Sequence, residues 1–182
     1  MKKLLLSSLL FLLSASAVLA YETVIIKYPD GELWEPVYYR KNFAEGIVQY
    51  VRKGETTKEW SRSVIIHSYN EYYGTAKTLM GSVIDLNTRQ NPTGRYRIIK
   101  DSPDDVIAVR CTSQYKHLAP QCEILRSARG HNGVITLHYI DKNISHFRLN
   151  HEDWFERIKK AVFYESYFRN DRILNKSMYL EL

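Results

Sequence analysis

The sequence predicts an α+β fold, in which a single antiparallel sheet of about five to seven strands carries two main helices packed on one face. Three observations lead to this class. Short runs rich in β-branched and aromatic residues alternate with turn residues along most of the chain. Two other segments repeat apolar residues at helical spacing. No linker rich in Gly, Ser or Pro interrupts the chain, so we expect one domain.

The first twenty residues predict a secretory signal peptide. A positively charged start precedes an apolar run at residues 4–13, and small residues lead up to Ala20. The apolar run is shorter than the roughly 20 residues that span a bilayer, which favours cleavage over a membrane anchor. Cleavage after Ala20 gives a single α+β domain of residues 21–182, and cleavage after Ala17 is the alternative. We expect a periplasmic or secreted protein with no membrane segment after processing.

The charge of the processed chain is modest. Without the two lysines of the leader, residues 21–182 hold 24 basic and 20 acidic side chains, a net charge of +4. These charges are spread along the chain, as in an ordinary solvated surface. We therefore predict no nucleic-acid partner.

The first strands and the first helix follow the signal in order. Strand-like runs occupy residues 21–28, 37–40, 46–52 and 63–69. Thr75 is then a good cap for a helix whose apolar face is Ala76, Leu79, Met80 and Val83, because these residues recur at i, i+3, i+4 and i+7. Asn91-Pro92 ends this helix.

The centre of the predicted sheet is a three-stranded unit at 106–111, 122–129 and 134–140. The turn at 130–133 contains residues that adopt positive φ at little cost, which indicates a hairpin. The only cysteines, Cys111 and Cys122, lie at facing ends of two of these strands. In an exported protein we expect them to form a disulfide.

A second helix is predicted to begin at Asn150. This residue is a suitable cap, and Glu152 and Asp153 follow it as an acidic first turn. Trp154, Ile158, Ala161 and Val162 then form one apolar stripe.

The sequence lacks the common local signatures of catalysis and cofactor binding. It has no phosphate-binding loop, no dinucleotide fingerprint, no HExxH and no GxSxG, so we predict no cofactor. Six histidines raise the question of a metal site, with His138, His146 and His151 as the best candidates. Their spacing matches no closed metal site, and we predict none.

Acid–base catalysis would require a carboxylate beside a histidine, such as Glu123 or Glu55 near His67 or His138. The favoured interpretation is that Glu123 faces solvent on a strand and pairs with Arg110 or with Arg126. We therefore assign no catalytic residue.

Fourteen tyrosines are many for a chain of 182 residues. Half-buried rings with wet hydroxyls explain most of them. Tyr69, Tyr72 and Tyr73 cluster where a strand should end, and there the prediction is a binding face for a protein or a glycan.

Scattered positions resemble small exported bacterial proteins of unassigned function. They are Gly54-Glu55 before Trp60, the run 63–69, the run 123–126, Tyr139 and Trp154. The order of elements is similar to the PsbP-like arrangement of an antiparallel sheet backed by helices. The resemblance implies a non-enzymatic role and no catalytic residue. We therefore expect an exported, non-catalytic binding or assembly protein, with a secreted enzyme or effector using a distributed His/Glu site as the alternative.

Overall fold

The structure is a computed structural model that describes residues 21–166. The predicted signal peptide, residues 1–20, and the last part of the predicted domain, residues 167–182, lie outside the described residues. The strands are β1 (Tyr21–Ile25), β2 (Trp34–Lys41), β3 (Glu45–Arg52), β4 (Arg62–Asn70), β5 (Arg97–Lys100), β6 (Asp105–Thr112), β7 (Gln121–Arg129), β8 (Gly133–Asp141) and β9 (Val162–Ser166). The helices are α1 (Ala76–Gln90) and α2 (Ile144–Lys160).

Seven strands form an antiparallel sheet in the order β2-β3-β4-β8-β7-β6-β5. This confirms the α+β class, and every strand predicted between residues 37 and 140 lies in this sheet. A second sheet, in which β1 pairs with β9, departs from the single sheet that the sequence predicts. Val162, expected on the stripe of the second helix, instead begins β9, because α2 ends at Lys160.

The two helices pack on opposite faces of the seven-stranded sheet, so the prediction of both helices on one face is wrong. Ile124 of β7 lies in the same buried cluster as Trp154 of α2, whereas its neighbour Leu125 clusters with Met80 of α1. Consecutive strand residues point to opposite faces. The physical reason is that β7 is buried on both sides from Cys122 to Ala128 and needs a cover on each.

Helix α1 begins as predicted. The Thr75 hydroxyl accepts a hydrogen bond from the backbone N–H of Thr78, at 3.0 Å, and Ala76, Leu79 and Met80 are buried against the sheet.

Helix α2 begins earlier than predicted, at Ile144 instead of after Asn150. Its cap is Asn143, whose side-chain oxygen accepts from the backbone N–H of His146 at 2.9 Å. Asn150 lies inside the helix, where its amide donates to the carbonyl of His146. Phe147 is buried in the extra turns, and this apolar contact extends the helix backwards.

Arg126 joins the end of α2 to the sheet. Its guanidinium donates to the carbonyls of Ile158, Lys159 and Ala161 at 2.9–3.0 Å. It also donates to both carboxylate oxygens of Asp105. The last carbonyls of a helix have no partner within the helix, so this buried cation satisfies groups that would otherwise be costly to bury.

The predicted disulfide is present. Cys111 and Cys122 lie directly opposite each other on β6 and β7, with their Cα atoms 4.0 Å apart. Closing so short a loop stabilises the fold by about 3 kcal/mol in the chain-entropy model.

Helix α1 covers only part of its face of the sheet. It contacts β6, β7 and β8. Among residues 21–166 no helix covers β2 and β3 on this face, which we call the α1 face. The polar and aromatic groups described next lie there.

Candidate functional site

One polar network of the α1 face lies between β7, β8 and the segment that follows α1. His138 Nδ1 is 2.7 Å from a Glu123 carboxylate oxygen. The Tyr96 hydroxyl donates to the other oxygen of Glu123 at 2.7 Å, and the amide of Asn87 donates to the Tyr96 hydroxyl at 2.7 Å. A chain of four side chains thus connects the sheet to α1.

His138 also contacts a hydroxyl on its other side. Its Nε2 lies 3.2 Å from Thr136 Oγ1. A hydroxyl, an imidazole and a carboxylate therefore stand in the order used by serine-type hydrolases. A nucleophile of this kind must reach a substrate, and Thr136 has an exposed fraction of 0%. A substrate therefore has no access to Thr136 in this structure, and the three side chains form an internal hydrogen-bond network.

Glu123 is a buried carboxylate whose surroundings favour its charged form. Burial acts to raise the pKa of Glu123, but hydrogen bonds from His138 and Tyr96 and the charge of Arg110 hold that pKa below its ordinary value. Arg110 is the cross-strand neighbour of Glu123, and its guanidinium also lies over the Tyr96 ring at 5.1 Å. Three groups, His138, Tyr96 and Arg110, thus compensate one buried carboxylate.

A second histidine–carboxylate pair lies further along the α1 face, towards β2. His67 Nε2 is 2.9 Å from a Glu45 carboxylate oxygen, and the other oxygen of Glu45 accepts from Arg40 at 2.5 Å. The His67 ring is stacked on Tyr69 with 4.0 Å between ring centroids. Burial lowers the pKa of His67, while the Glu45 carboxylate acts in the opposite direction.

Tyr69 connects these two pairs. Its side chain is hydrogen-bonded to Thr136, and burial raises the pKa of its hydroxyl to about 12. The structure thus brings together His67, His138 and Glu123, the residues of the acid–base hypothesis, in one network. Glu55 is not part of it, because its carboxylate accepts from Ser61.

The favoured interpretation of Glu123 as a solvent-facing residue is wrong. Glu123 is buried, and its hydrogen bonds go to His138 and Tyr96. Arg126 lies on the other face and pairs with Asp105. Sequence reasoning also missed Tyr96, which donates to Glu123, and Glu45, which pairs with His67, because both contacts depend on how the strands pair.

The three tyrosines of the predicted binding face lie at the end of β4 and in the following loop, and we call them the tyrosine rim (Tyr69, Tyr72 and Tyr73). They do not share one environment. Tyr69 and Tyr72 are half-buried and pack against Val134 and Ala76. Tyr73 is 91% exposed.

The loop that carries Tyr73 is held in place by the neighbouring loops and by one arginine. Arg129 donates to the carbonyl of Tyr72 at 2.8 Å and to the carbonyl of Gly74. The backbone N–H of Glu71 donates to the carbonyl of Asn132 in the β7–β8 turn at 2.8 Å. An exposed aromatic side chain therefore projects from a fixed backbone. Sequence reasoning found the tyrosines but gave no sign of Arg129, which lies more than fifty residues away.

The histidines considered for a metal site have other partners. His138 pairs with Glu123 on the α1 face, whereas His146 Nδ1 lies 2.5 Å from the fully buried carboxylate of Asp141 on the other face. His151 Nδ1 is 3.0 Å from the carbonyl of Arg148. Across residues 21–166 no three His, Cys, Asp or Glu side chains are grouped as metal ligands would be.

Comparison with known proteins does not assign the chain to a family. No protein-family model matches it, and no curated protein matches it significantly. In the part of the chain that the structure describes, no helix is both long enough and apolar enough to cross a bilayer.

Proposed function

We propose that this chain is an exported, non-catalytic binding or assembly protein that holds a partner through the tyrosine rim. Export is supported by the leader-like first twenty residues and by the disulfide, because disulfides persist in oxidising compartments. The order of elements that resembles PsbP-like proteins fits the same non-enzymatic role.

One observation carries the binding role. The Tyr73 ring is 91% exposed, although Arg129 fixes the backbone on both sides of it. An exposed aromatic ring on an ordered backbone loses little conformational entropy on binding and brings a large contact area. Tyrosine is also enriched at the centres of protein interfaces. The partner is a protein or a glycan, since both stack on such rings.

Site-specific photocrosslinking tests this proposal in the exporting cell. A photoreactive phenylalanine derivative replaces Tyr73, and the adducts formed on irradiation are separated by mass. We expect one discrete adduct, in which mass spectrometry finds peptides of a second protein if the partner is a protein, and which a carbohydrate stain detects if the partner is a glycan. The same probe at Leu149, an 85% exposed position on α2, is the matched control.

The outcome that refutes the proposal is equally direct. If the probe at Tyr73 forms no adduct, or forms the same set of adducts as the probe at Leu149, the tyrosine rim is not a binding face. Recovery of the protein in the cytoplasmic fraction would refute export.

The second candidate function is a secreted hydrolase, which the order Thr136, His138, Glu123 favours. It requires Thr136 to become accessible, which is why it ranks second. Ester and peptide substrates incubated with the exported protein test it. Turnover that disappears in both Thr136→Val and His138→Ala would establish the enzyme and overturn the non-catalytic proposal, whereas turnover that persists in both would exclude this network as its source.

A further inference from the structure

Strand β2 lies at one edge of the seven-stranded sheet. Within residues 21–166, β2 pairs only with β3 and is the last strand on its side of the sheet. Four of the large apolar side chains that remain exposed belong to this strand and its two ends. They are Leu33, Tyr38, Tyr39 and Phe43, with exposed fractions of 46%, 40%, 43% and 64%. An edge strand with exposed rings is a template for pairing with another strand.

A bulge determines which side chains of β2 share a face. The register with β3 shifts between Pro36 and Tyr38. Glu35 lies opposite Val51, and Arg40 lies opposite Ile47, four positions away on β3. Because an even number of positions separates them, Glu35 and Arg40 point to the same face. In a regular strand their spacing of five would place them on opposite faces.

The bulge also makes β2 symmetric in charge about Tyr38. Counted along β3, Tyr38 lies opposite Gln49, midway between the positions opposite Glu35 and Arg40. A two-fold axis perpendicular to the sheet at Tyr38 therefore places Glu35 of one copy beside Arg40 of the second copy. The same pairing then occurs a second time by symmetry.

The same two-fold axis pairs the residues between these charges and, beyond them, places Lys41 of one copy opposite Trp34 of the other. The same register places Tyr39 opposite Pro36 of the second copy, since they face Val48 and Tyr50 of β3. It brings Leu33 of one copy to the turn that carries Phe43 of the other. Opposite charges directly across a strand pair stabilise it, and exposed apolar side chains at both ends become buried.

The other edge of the sheet does not offer this complementarity. Strand β5 carries Arg97 and Lys100 with no acidic residue in its four positions. Two copies of β5 aligned antiparallel would place cations near each other, which opposes pairing. Prolines and bulges commonly protect an edge strand against indiscriminate pairing, and β2 has both. Here the bulge also selects one register.

We propose that β2 is a self-association surface, on which two copies of this chain pair antiparallel about Tyr38 and form one continuous fourteen-stranded sheet. This inference does not depend on the proposed binding role, since Tyr73 lies in a different loop. The partner is a second copy because both charges of the contact belong to the same strand.

Charge reversal and its rescue test the proposal. Sedimentation of the exported protein should show a dimer whose dissociation constant rises by roughly tenfold or more in Glu35→Arg, because two like-charged contacts replace two ion pairs. Arg40→Glu should act in the same direction. The double variant, Glu35→Arg with Arg40→Glu, should restore the dimer, because the swapped charges attract again. Glu35→Arg leaves the Arg40 contact with Glu45 intact.

Two control variants make the test specific. Arg97→Glu applies the charge change of Arg40→Glu at the opposite edge of the sheet, and Tyr73→Ala removes an exposed ring elsewhere. Neither substitution should alter the dissociation constant. A monomer at every concentration measured would overturn the proposal. So would a dimer that resists both single reversals, a double variant that fails to recover, or a dimer that Arg97→Glu disrupts.

Discussion

Replacing Arg126 by methionine removes the cation that satisfies the end of α2. Methionine keeps much of the apolar length of the side chain but none of its donors. Three carbonyls, those of Ile158, Lys159 and Ala161, then lose their hydrogen bonds, and both oxygens of Asp105 lose a charged partner. The contact of the guanidinium with the Phe163 ring, 4.6 Å from its centroid, is lost as well.

The expected loss is large for one substitution. Removing one partner of a buried ion pair costs about 3–5 kcal/mol, because the remaining charge stays buried without compensation. Asp105 keeps Lys100 at 2.5 Å, which places the expectation at about 3 kcal/mol, the lower end of that range. Substitutions at exposed positions without partners usually change stability by less than about 0.5 kcal/mol.

Urea denaturation of the oxidised protein at neutral pH measures this effect. Arg97→Met is the matched control, since Arg97 is an exposed arginine on an edge strand. A loss below about 1 kcal/mol in Arg126→Met, or an equal loss in Arg97→Met, would show that this arginine does not anchor α2.

Three further predictions concern the disulfide, two glycines and the His67–Glu45 pair. Reducing the disulfide should lower the free energy of unfolding by about 3 kcal/mol, and denaturation with and without reductant measures it; no change would mean that the bridge does not constrain the unfolded chain. Gly133→Ala should cost about 2 kcal/mol, because its Cβ would lie 2.0 Å from the carbonyl oxygen of Tyr69. Gly81→Ala, at an open helical position, should instead raise the free energy of unfolding by about 1 kcal/mol in the same denaturation assay. If both substitutions changed the free energy of unfolding in the same direction, the packing described would be contradicted. In an NMR titration His67 should have a pKa below about 6.5, and Glu45→Gln should lower that pKa further, because the carboxylate favours the charged imidazole; an upward shift would contradict this.

The sign of the His67 effect on stability follows from the same direction of shift. A histidine whose pKa is lower in the folded state binds fewer protons there than in the unfolded chain. Its contribution therefore weakens the fold as the pH falls from the unfolded pKa, about 6.5, to the folded one. Glu45, whose pKa is lowered chiefly by its hydrogen bond with His67, stabilises the fold at neutral pH and loses this effect as acid protonates it.

Local sequence patterns were sufficient for most elements of the fold. The alternation at 63–69 and the Thr75 cap predicted β4 and α1, because both depend on neighbouring residues only. The start of α2 was missed because Asn150 with Glu152 and Asp153 looked like a first turn, while the true cap was Asn143. The apolar residues Ile144 and Phe147 extend the same stripe backwards and could have revealed it.

Two features required pairing information that one sequence does not contain. Strand β7 is buried without interruption from Cys122 to Ala128, so both faces of the sheet must be covered there. The sequence did not indicate this, because β7 contains the polar residues Glu123, Arg126 and Ser127. The contact between Glu123 and His138 depends on the register of β7 with β8. The tyrosine rim was predicted from clustering alone, whereas its support by Arg129 comes from a distant strand.

The mass of the natively isolated protein tests export most directly, and export underlies the proposed binding role. The chain should begin at Tyr21, because the leader is removed. After alkylation without reductant it should carry no alkyl group, and its mass should be lower by two hydrogens than that of the reduced chain, because Cys111 and Cys122 are joined. A chain that begins at Met1 and carries two alkylated cysteines would contradict the account.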